Sequence, residues 1–340
     1  MKNRGFTLIE IMIALTIGLV LISGMLKILS STRQTYLLNE NISRLQENAR
    51  FAMEVISREI RMAGYWGCVS NVTPINVLNT PNAYSWAFNR KVRGYDHASP
   101  ATFPAAFQSD ALAGSDAIVL SGIDPDPFTI ESHNACSAQF KLAQNHDLND
   151  DEIVCVTDCV QGAIFQITNA NQANRTIVHN TGTGTIGNAT KCLGGECGGA
   201  CATAWHEYGP DAMLARIRAL AFYIGTGSNG EPALFWEILN RGSASTPAEL
   251  VNGVENLQIL YGLDGDGDKV ANQYLTADGV ESANGWDSVV SVRIGLLMRT
   301  GDFIRSQPDS GTNTLAGTTV SHTADYRIRR VVTSTIQLRN

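Results

Sequence analysis

Five oxygen-bearing positions crowd one short stretch, Asp264-Gly265-Asp266-Gly267-Asp268-Lys269-Val270-Ala271-Asn272. Acids at alternate loop positions converge their oxygens on one point, which suits Ca²⁺ with its roughly six to eight oxygens at about 2.3–2.6 Å. Asp264, Asp266, Asp268, the Val270 carbonyl and Asn272 could supply most of such a shell. The match to an EF-hand is partial: Lys269 replaces its glycine, and Leu275 stands where a bidentate glutamate belongs. The pattern is closer to short DxDxDxVxD loops. The competing reading is an Asp/Gly hairpin turn whose carboxylates bond their own backbone, and the sequence leaves both open.

The cysteines are Cys68, Cys136, Cys155, Cys159, Cys192, Cys197 and Cys201. Their number is odd, so at least one thiol is free, transient or paired with another chain. Cys192, Cys197 and Cys201, with His206 nearby, could be read as zinc ligands, but in an oxidising compartment disulfides are the better expectation. Cys155 and Cys159 could bridge locally, and Cys68 could tether a preceding helix; the connectivity stays open.

Other chemical signatures are weak. Gly182-Thr183-Gly184-Thr185-Ile186-Gly187 and Gly225-Thr226-Gly227-Ser228-Asn229-Gly230 both fit GxGxxG, yet neither opens a helix that could receive a phosphate. The second reads as a hairpin loop. No P-loop, GxSxG or HExxH occurs, and the six histidines show no paired spacing. An enzyme is not expected. The net charge is −7 with no basic cluster, so no nucleic-acid groove is expected either.

The remaining candidate is Glu10. Met1-Lys2-Asn3-Arg4-Gly5 runs into an apolar stretch over 6–26 that Glu10 alone interrupts. At about 1.5 Å per residue this stretch can cross a hydrocarbon core of roughly 30 Å. A membrane carboxylate costs roughly 2.5 kcal/mol or more at the bilayer centre, less near the interface, so it needs a partner. A secretory signal would share the basic start, but Ser23-Gly24-Met25 is a poor cleavage site. A plain signal anchor gives no reason for Glu10. Lys2 and Arg4, with no matching basic cluster after the span, place the N-terminus inside.

The elements that must carry these residues follow from periodicity. Beyond the apolar run, Leu38, Ile42, Leu45, Ala49, Ala52 and Ile56 recur at spacings of four and three, an amphipathic stripe. Arg50–Glu54, Glu54–Arg58 and Arg44–Glu47 can pair along the helix. One helix over 6–63 is expected, exposed in its middle and packed on a sheet in its last part. Gly18 and Gly24 weaken it by about 1 kcal/mol each without breaking it, and Gly64 and Gly67 end it. Short strands are expected at 117–121, 139–142, 152–156, 163–168 and 176–179, among Pro, Gly, Asn and Asp clusters. Residues 181–201 read as a stapled surface loop. Longer strands follow at 213–225, 233–239, 256–262, 288–300 and 326–338, several with period-two patterning. The fold class is α+β: a long N-terminal helix, its first half membrane-spanning, packed on an antiparallel β-sheet domain. Five segments result: a leader over 1–5, a membrane helix over 6–30, an amphipathic continuation over 31–63, a loop-rich disulfide-stapled β region over 64–210, and a β-rich region with the Asp loop over 211–340.

The leader, glycine, aromatic and glutamate together resemble the class III signal of type IV prepilins. The resemblance implies cleavage between Gly5 and Phe6 by a prepilin peptidase, methylation of the new Phe6 terminus, and pairing of Glu10 with the terminal amine of a neighbouring subunit in the dry filament core. Ser43-Arg44-Leu45-Gln46-Glu47-Asn48-Ala49-Arg50-Phe51-Ala52, Ile60-Arg61-Met62-Ala63-Gly64-Tyr65, Tyr261-Gly262-Leu263-Asp264 and Leu338-Arg339-Asn340 resemble PilW, a minor pilin family of type IV pili. That resemblance is strongest at the two ends of the chain. It implies a structural protein held in the inner membrane with its domain in the periplasm, then at the pilus tip. Its partners would be other minor pilins, the major pilin, a tip adhesin and the inner-membrane assembly platform; it would help prime pilus assembly and serve motility, adhesion and DNA uptake indirectly. The alternatives are a J-type pseudopilin of type II secretion and a membrane-anchored adhesin or binding module.

Overall fold

The computed structural model describes residues 7–67, 73–79, 90–96, 103–104, 107–182, 186–198, 201, 205–239 and 247–339. A single helix, α1, runs from Leu8 to Met62 without a break at Gly18 or Gly24. Thr7 caps its start, as a short polar side chain does when it takes up an otherwise unpaired amide of the first turn. At its other end Gly64 adopts φ +76 and donates its N–H to the Ser121 carbonyl at 2.8 Å, so the chain turns away from the helix axis.

Burial along α1 changes where the sequence pattern says it should. Leu8 through Leu29 are exposed apart from the half-buried Gly18, and burial begins near Asn41 and Leu45, then continues through Ala49, Ala52, Ile56 and Ile60. The ion pairs on the exposed face differ from expectation in detail: Arg44 pairs with Glu40 at 2.7 Å rather than with Glu47.

The strands are β1 (Ile75–Asn76), β2 (Val92–Tyr95), β3 (Ala117–Ile123), β4 (Phe128–Asn134), β5 (Gln139–Leu142), β6 (Ile153–Thr157), β7 (Gly162–Gln166), β8 (Asn169–Asn171), β9 (Thr176–Val178), β10 (Met213–Thr226), β11 (Pro232–Ile238), β12 (Ala248–Asn252), β13 (Val254–Leu263), β14 (Gln273–Leu275), β15 (Val289–Arg299), β16 (Thr312–Leu315), β17 (Thr318–Ser321) and β18 (Arg329–Gln337). A short helix, α2 (Ala277–Ser282), lies between β14 and β15. Nearly every strand pair is antiparallel; β1 runs parallel to β7.

Two larger sheets form. A four-stranded one has the order β14-β13-β15-β18. The other has twelve strands, with β1-β7-β6-β10-β4-β5-β9-β8 in a path and β2, β3, β11 and β12 attached through β10. Strand β10 is the common member. Its first residues, Met213 to Arg216, pair with β6, while Ile217 to Thr226 pair with β3 and β11. One core packs Leu45, Ala52 and Ile56 of α1 against Ile118, Phe222, Leu257 and Ile294, joining the helix to both sheets. A separate core of Phe140, Phe165, Ile177 and Tyr208 contains no α1 residue. It belongs to a lobe built from β4 to β9.

The lobe stands past the C-terminal end of α1. Asn48 of α1 reaches the Asn252 carbonyl, which lies beside Ala233 and so near Gly225 of β10. Eleven residues further along α1, Glu59 binds Arg218 at 2.7 Å. The two elements therefore run in opposite directions, and β10 residues before Arg218 extend beyond the helix end, where Met213 meets Gly67.

Candidate functional site

The N-terminal candidate is Glu10. Its carboxylate accepts from the Thr7 N–H at 2.9 Å and from Thr7 Oγ1 at 3.0 Å, while its own N–H donates to Thr7 Oγ1 at 3.3 Å. This reciprocal capping box satisfies helix-start donors. Glu10 shares a helix face with Ala14 and Gly18, and the surrounding Ile11, Leu15, Leu19 and Ile22 are all open to the outside. The helix is long and apolar enough to cross a membrane. Gly5 and Phe6 lie outside the described residues.

The acidic loop connects β13 to β14, which pair from Leu263↔Gln273 onward. Ligand oxygens of Asp264, Asp266 and Asp268 lie within 4.8 Å of one another. The same carboxylates organise the loop backbone. Asp264 accepts the amides of Asp266, Gly267 and Lys269 at 3.1, 2.6 and 2.8 Å, and Asp268 accepts that of Val270 at 2.7 Å. Asn272 accepts from the Gly265 amide at 2.6 Å and donates to Asp266 at 3.3 Å. Gly267 and Lys269 take φ +84 and +64, closing the turn. Desolvation pushes the Asp264 carboxyl up, but the three amides outweigh it and hold it below its ordinary value. A carboxylate oxygen has two lone-pair directions, so one that accepts an amide can still face a cation. The donor set fits a hard divalent ion; Val270 itself is exposed.

The cysteines form disulfides rather than a zinc site. Cys136 bonds Cys201, and Cys192 bonds Cys197. Cys159 is also disulfide-bonded, and Cys68 lies outside the described residues. The local Cys155–Cys159 bridge does not form. Cys155 sits inside β6 between Ile164 of β7 and Ala215 of β10, free and buried, and burial pushes its thiol pKa up. Cys159 is instead at the β6–β7 turn with φ +69. His206 does not ligate; it contacts Asp158 at 2.6 Å. Of the two glycine patterns, the one at 225–230 is the β10–β11 hairpin, and Gly227 N–H bonds the Glu231 carbonyl at 2.8 Å.

One cluster had no signal in sequence spacing. Arg299, Arg327 and Arg329 interlock with Glu231, Glu255 and Asp325 at one end of the four-stranded sheet. These residues come from four separate stretches: the pairing of β13, β15 and β18 gathers five of them, and the β10–β11 hairpin, tied to the start of β13 by the Gly253 N–H to the Pro232 carbonyl, brings Glu231. Beside them Asp302 accepts from Asn41 of α1 at 3.2 Å and fixes the helix to this end of the domain.

Comparison with known proteins was informative at the two ends of the chain. Residues 221–340 match the family of type IV pilus-assembly protein W, PilW. Residues 1–26 match the prokaryotic N-terminal methylation motif. This is a type IV pilin-like chain with a prepilin signal. The PilW match covers β11 to β18 and the end of β10; α1 docks on this part and, at its C-terminal end, also on β3 and Arg218. No curated protein matches. Among solved structures, a type IV-like pilin, TTHA1219 from Thermus thermophilus, aligns with a TM-score of 0.36 and 12% identity over 87% of this chain and 95% of that one. The N-terminal motif and the apolar helix point to membrane anchoring, and the PilW match implies contact with other pilus components.

Proposed function

We propose that the protein is a minor pilin that helps to prime assembly of a type IV pilus and finishes at the pilus tip. The observation that carries this reading is the coincidence of two matches on one continuous frame: a prepilin signal at the start of α1 and a PilW-like region that holds its second half through Asn41 and Asn48. In this reading the leader is removed between Gly5 and Phe6, Phe6 is methylated, and Glu10 pairs with the terminal amine of an adjacent subunit. The helix is rooted in the inner membrane with its start in the cytoplasm and the domain in the periplasm. The lobe then lies farthest from the membrane. A subunit stacked directly beyond it would meet the lobe, which favours an end position over the shaft. The role is structural; the partners are other minor pilins, the major pilin, a tip adhesin, the prepilin peptidase and the assembly platform.

The test is a count of surface pili after deletion of the gene, with retraction disabled in parallel. Loss of pili, partly restored without retraction, is expected. Normal pili with failed export of secreted proteins would assign the chain to a secretion pseudopilus, and normal results in both would favour a dedicated binding module. The mature mass should begin at N-methylated Phe6.

The reading also includes Ca²⁺ at Asp264, Asp266, Asp268, the Val270 carbonyl and Asn272. Its support is the convergence of three carboxylates on a preformed turn. Ca²⁺ should raise the melting temperature of the wild-type chain, and D266N/D268N should remove that rise; a rise that persists in the variant would reject the site.

A further inference from the structure

The lobe holds two buried histidines that the pilin reading does not use. His133 lies on β4 and His179 directly follows β9; their Nε2 atoms are 3.0 Å apart. His133 stacks on Phe140 with ring centroids 4.0 Å apart. Phe165 and Tyr208 pack around the pair. The other nitrogen of His133, Nδ1, accepts the backbone N–H of Tyr208 at 3.2 Å. His179 Nδ1 is buried without a well-aligned hydrogen bond and faces the Lys191 backbone.

These contacts fix the protons. Because His133 Nδ1 accepts, its hydrogen is on Nε2. That hydrogen points at His179 Nε2, which must be bare, so the His179 hydrogen is on Nδ1. Both rings are neutral, with one proton between them. Every vacant position for a further proton already faces a donor. A proton on His179 Nε2 would set two N–H groups against each other at 3.0 Å, and one on His133 Nδ1 would do the same against Tyr208 at 3.2 Å.

The surrounding charges offer no relief. The pair faces His206 and Lys191, which repel added positive charge. Asp158, on the β6–β7 turn, is bonded to His206. Tyr208 and the buried Cys155 thiol carry no charge at neutral pH, since burial pushes both upward. Burial, and then the neighbouring positive groups, lower His133 from 6.5 to about 4 and His179 to about 3.

The pair also joins three pieces of chain. His133 belongs to the β4–β5 hairpin and His179 to the end of β9, whose N–H bonds Ala138 at 2.9 Å. Tyr208 belongs to the strap at 205–208, which returns the chain to β10 and holds the Leu193 carbonyl through its hydroxyl at 2.8 Å. We propose that the His133–His179 pair is an acid-released clasp on the lobe. Protonation of either ring breaks a bond that ties the strap and the end of β9 to β4. The strap loosens and uncovers the Phe140–Phe165–Tyr208 cluster. Cys136–Cys201 bonds the β4–β5 turn to the chain ahead of the strap, so the opening is local and reversible.

The sign follows from the lowered values. The clasp is intact above about 6.5, the ordinary histidine value, and weakens as pH falls toward about 4. Hydrogen–deuterium exchange on the full chain in detergent, at pH 7 and pH 4 and corrected for intrinsic rates, tests the proposal. Peptides from β4–β5, β9 and the strap should exchange faster at pH 4, by roughly 100-fold if a single ring sets the equilibrium. Peptides from β13 and β15 should not change. H179Q keeps an acceptor for His133, and H133N keeps one for the Tyr208 amide; neither titrates in this range. The ring left in each single variant can still be protonated, so each variant that folds should show a smaller acid step, and H133N/H179Q should show none. Equal exchange of the lobe at both pH values in the wild type would overturn the clasp, as would an undiminished step in the variant that lacks both rings. The wild-type result stands alone if that variant fails to fold.

Discussion

Glu255 bonds both Arg299 and Arg329, and Arg329 is almost wholly buried. Removing one member of such a network strands its partners, at a cost of about 3–5 kcal/mol. E255A should therefore lower the unfolding free energy of the domain by that order, read as a lower denaturant midpoint. Asp325 sets a second, separate pH window. The Arg329 hydrogen bond, foremost among its contacts, holds its carboxyl at about 2 against an ordinary 3.8. Its contribution is present above about 3.8 and is lost as pH falls toward 2, a window that opens about where that of His133 closes. An acid melt should thus show lobe exchange first and loss of the C-terminal sheet later. At this scale the sequence was uneven. Acids two residues apart in a glycine-rich turn announce themselves in any order of reading, and the Asp loop was legible. The arginine–carboxylate network was not, because its members are spaced from 231 to 329 and share no local pattern. Cys155 misled for a related reason: close spacing to Cys159 says nothing of a strand that buries one sulfur and a turn that carries the other away.

Close approach governs the elements. A Cβ on Gly94 of β2 would collide with the ring of Tyr261, itself packed edge-on to Trp286 at 5.0 Å. G94V should destabilise the helix-bearing part of the domain by about 1–3 kcal/mol, seen as a lower melting temperature. The disulfides predict unequal effects. Cys136–Cys201 spans 65 positions and Cys192–Cys197 only 5. Chain-entropy reasoning gives roughly 4 and 2 kcal/mol respectively, so C136S should loosen the lobe more than C197S does, measured by proteolysis within 124–212. Strong patterns predicted elements well: α1, β10, β13 and β15 emerged within a few residues of expectation. Strand β4 was missed. Phe128-Thr129-Ile130-Glu131-Ser132-His133-Asn134 buries only Ile130 and His133, so it carries almost no apolar alternation. Its place is fixed by β5 and β10, which no local window sees.

For the whole molecule, the prediction of most consequence concerns Glu10. If it pairs with a neighbour's terminal amine, E10L should leave the chain processed and folded but sharply reduce its recovery in sheared pili. Equal recovery of the variant would remove Glu10 from assembly. The overall plan, a long helix on an antiparallel sheet, was readable from the apolar run, the heptad-like stripe and period-two strands. Of the lobe, strands β5, β6, β7 and β9 were expected close to where they lie, but their assembly around one long strand that begins inside the lobe was not, since no local window shows which short strands pair.

That strand, β10, has a mechanical consequence. It is the shared member of the lobe's sheet and of the sheet that grips the helix. A pull on the lobe, directed away from the membrane, acts along β10 and loads its flanking hydrogen bonds in shear, many at once, rather than peeling them one by one. We expect the junction to yield at higher force than the lobe's own hairpins when the molecule is stretched between the lobe and the helix start in a single-molecule experiment. A tether that gives way first at its outer end and last at its root would keep the anchor intact while the tip absorbs the strain.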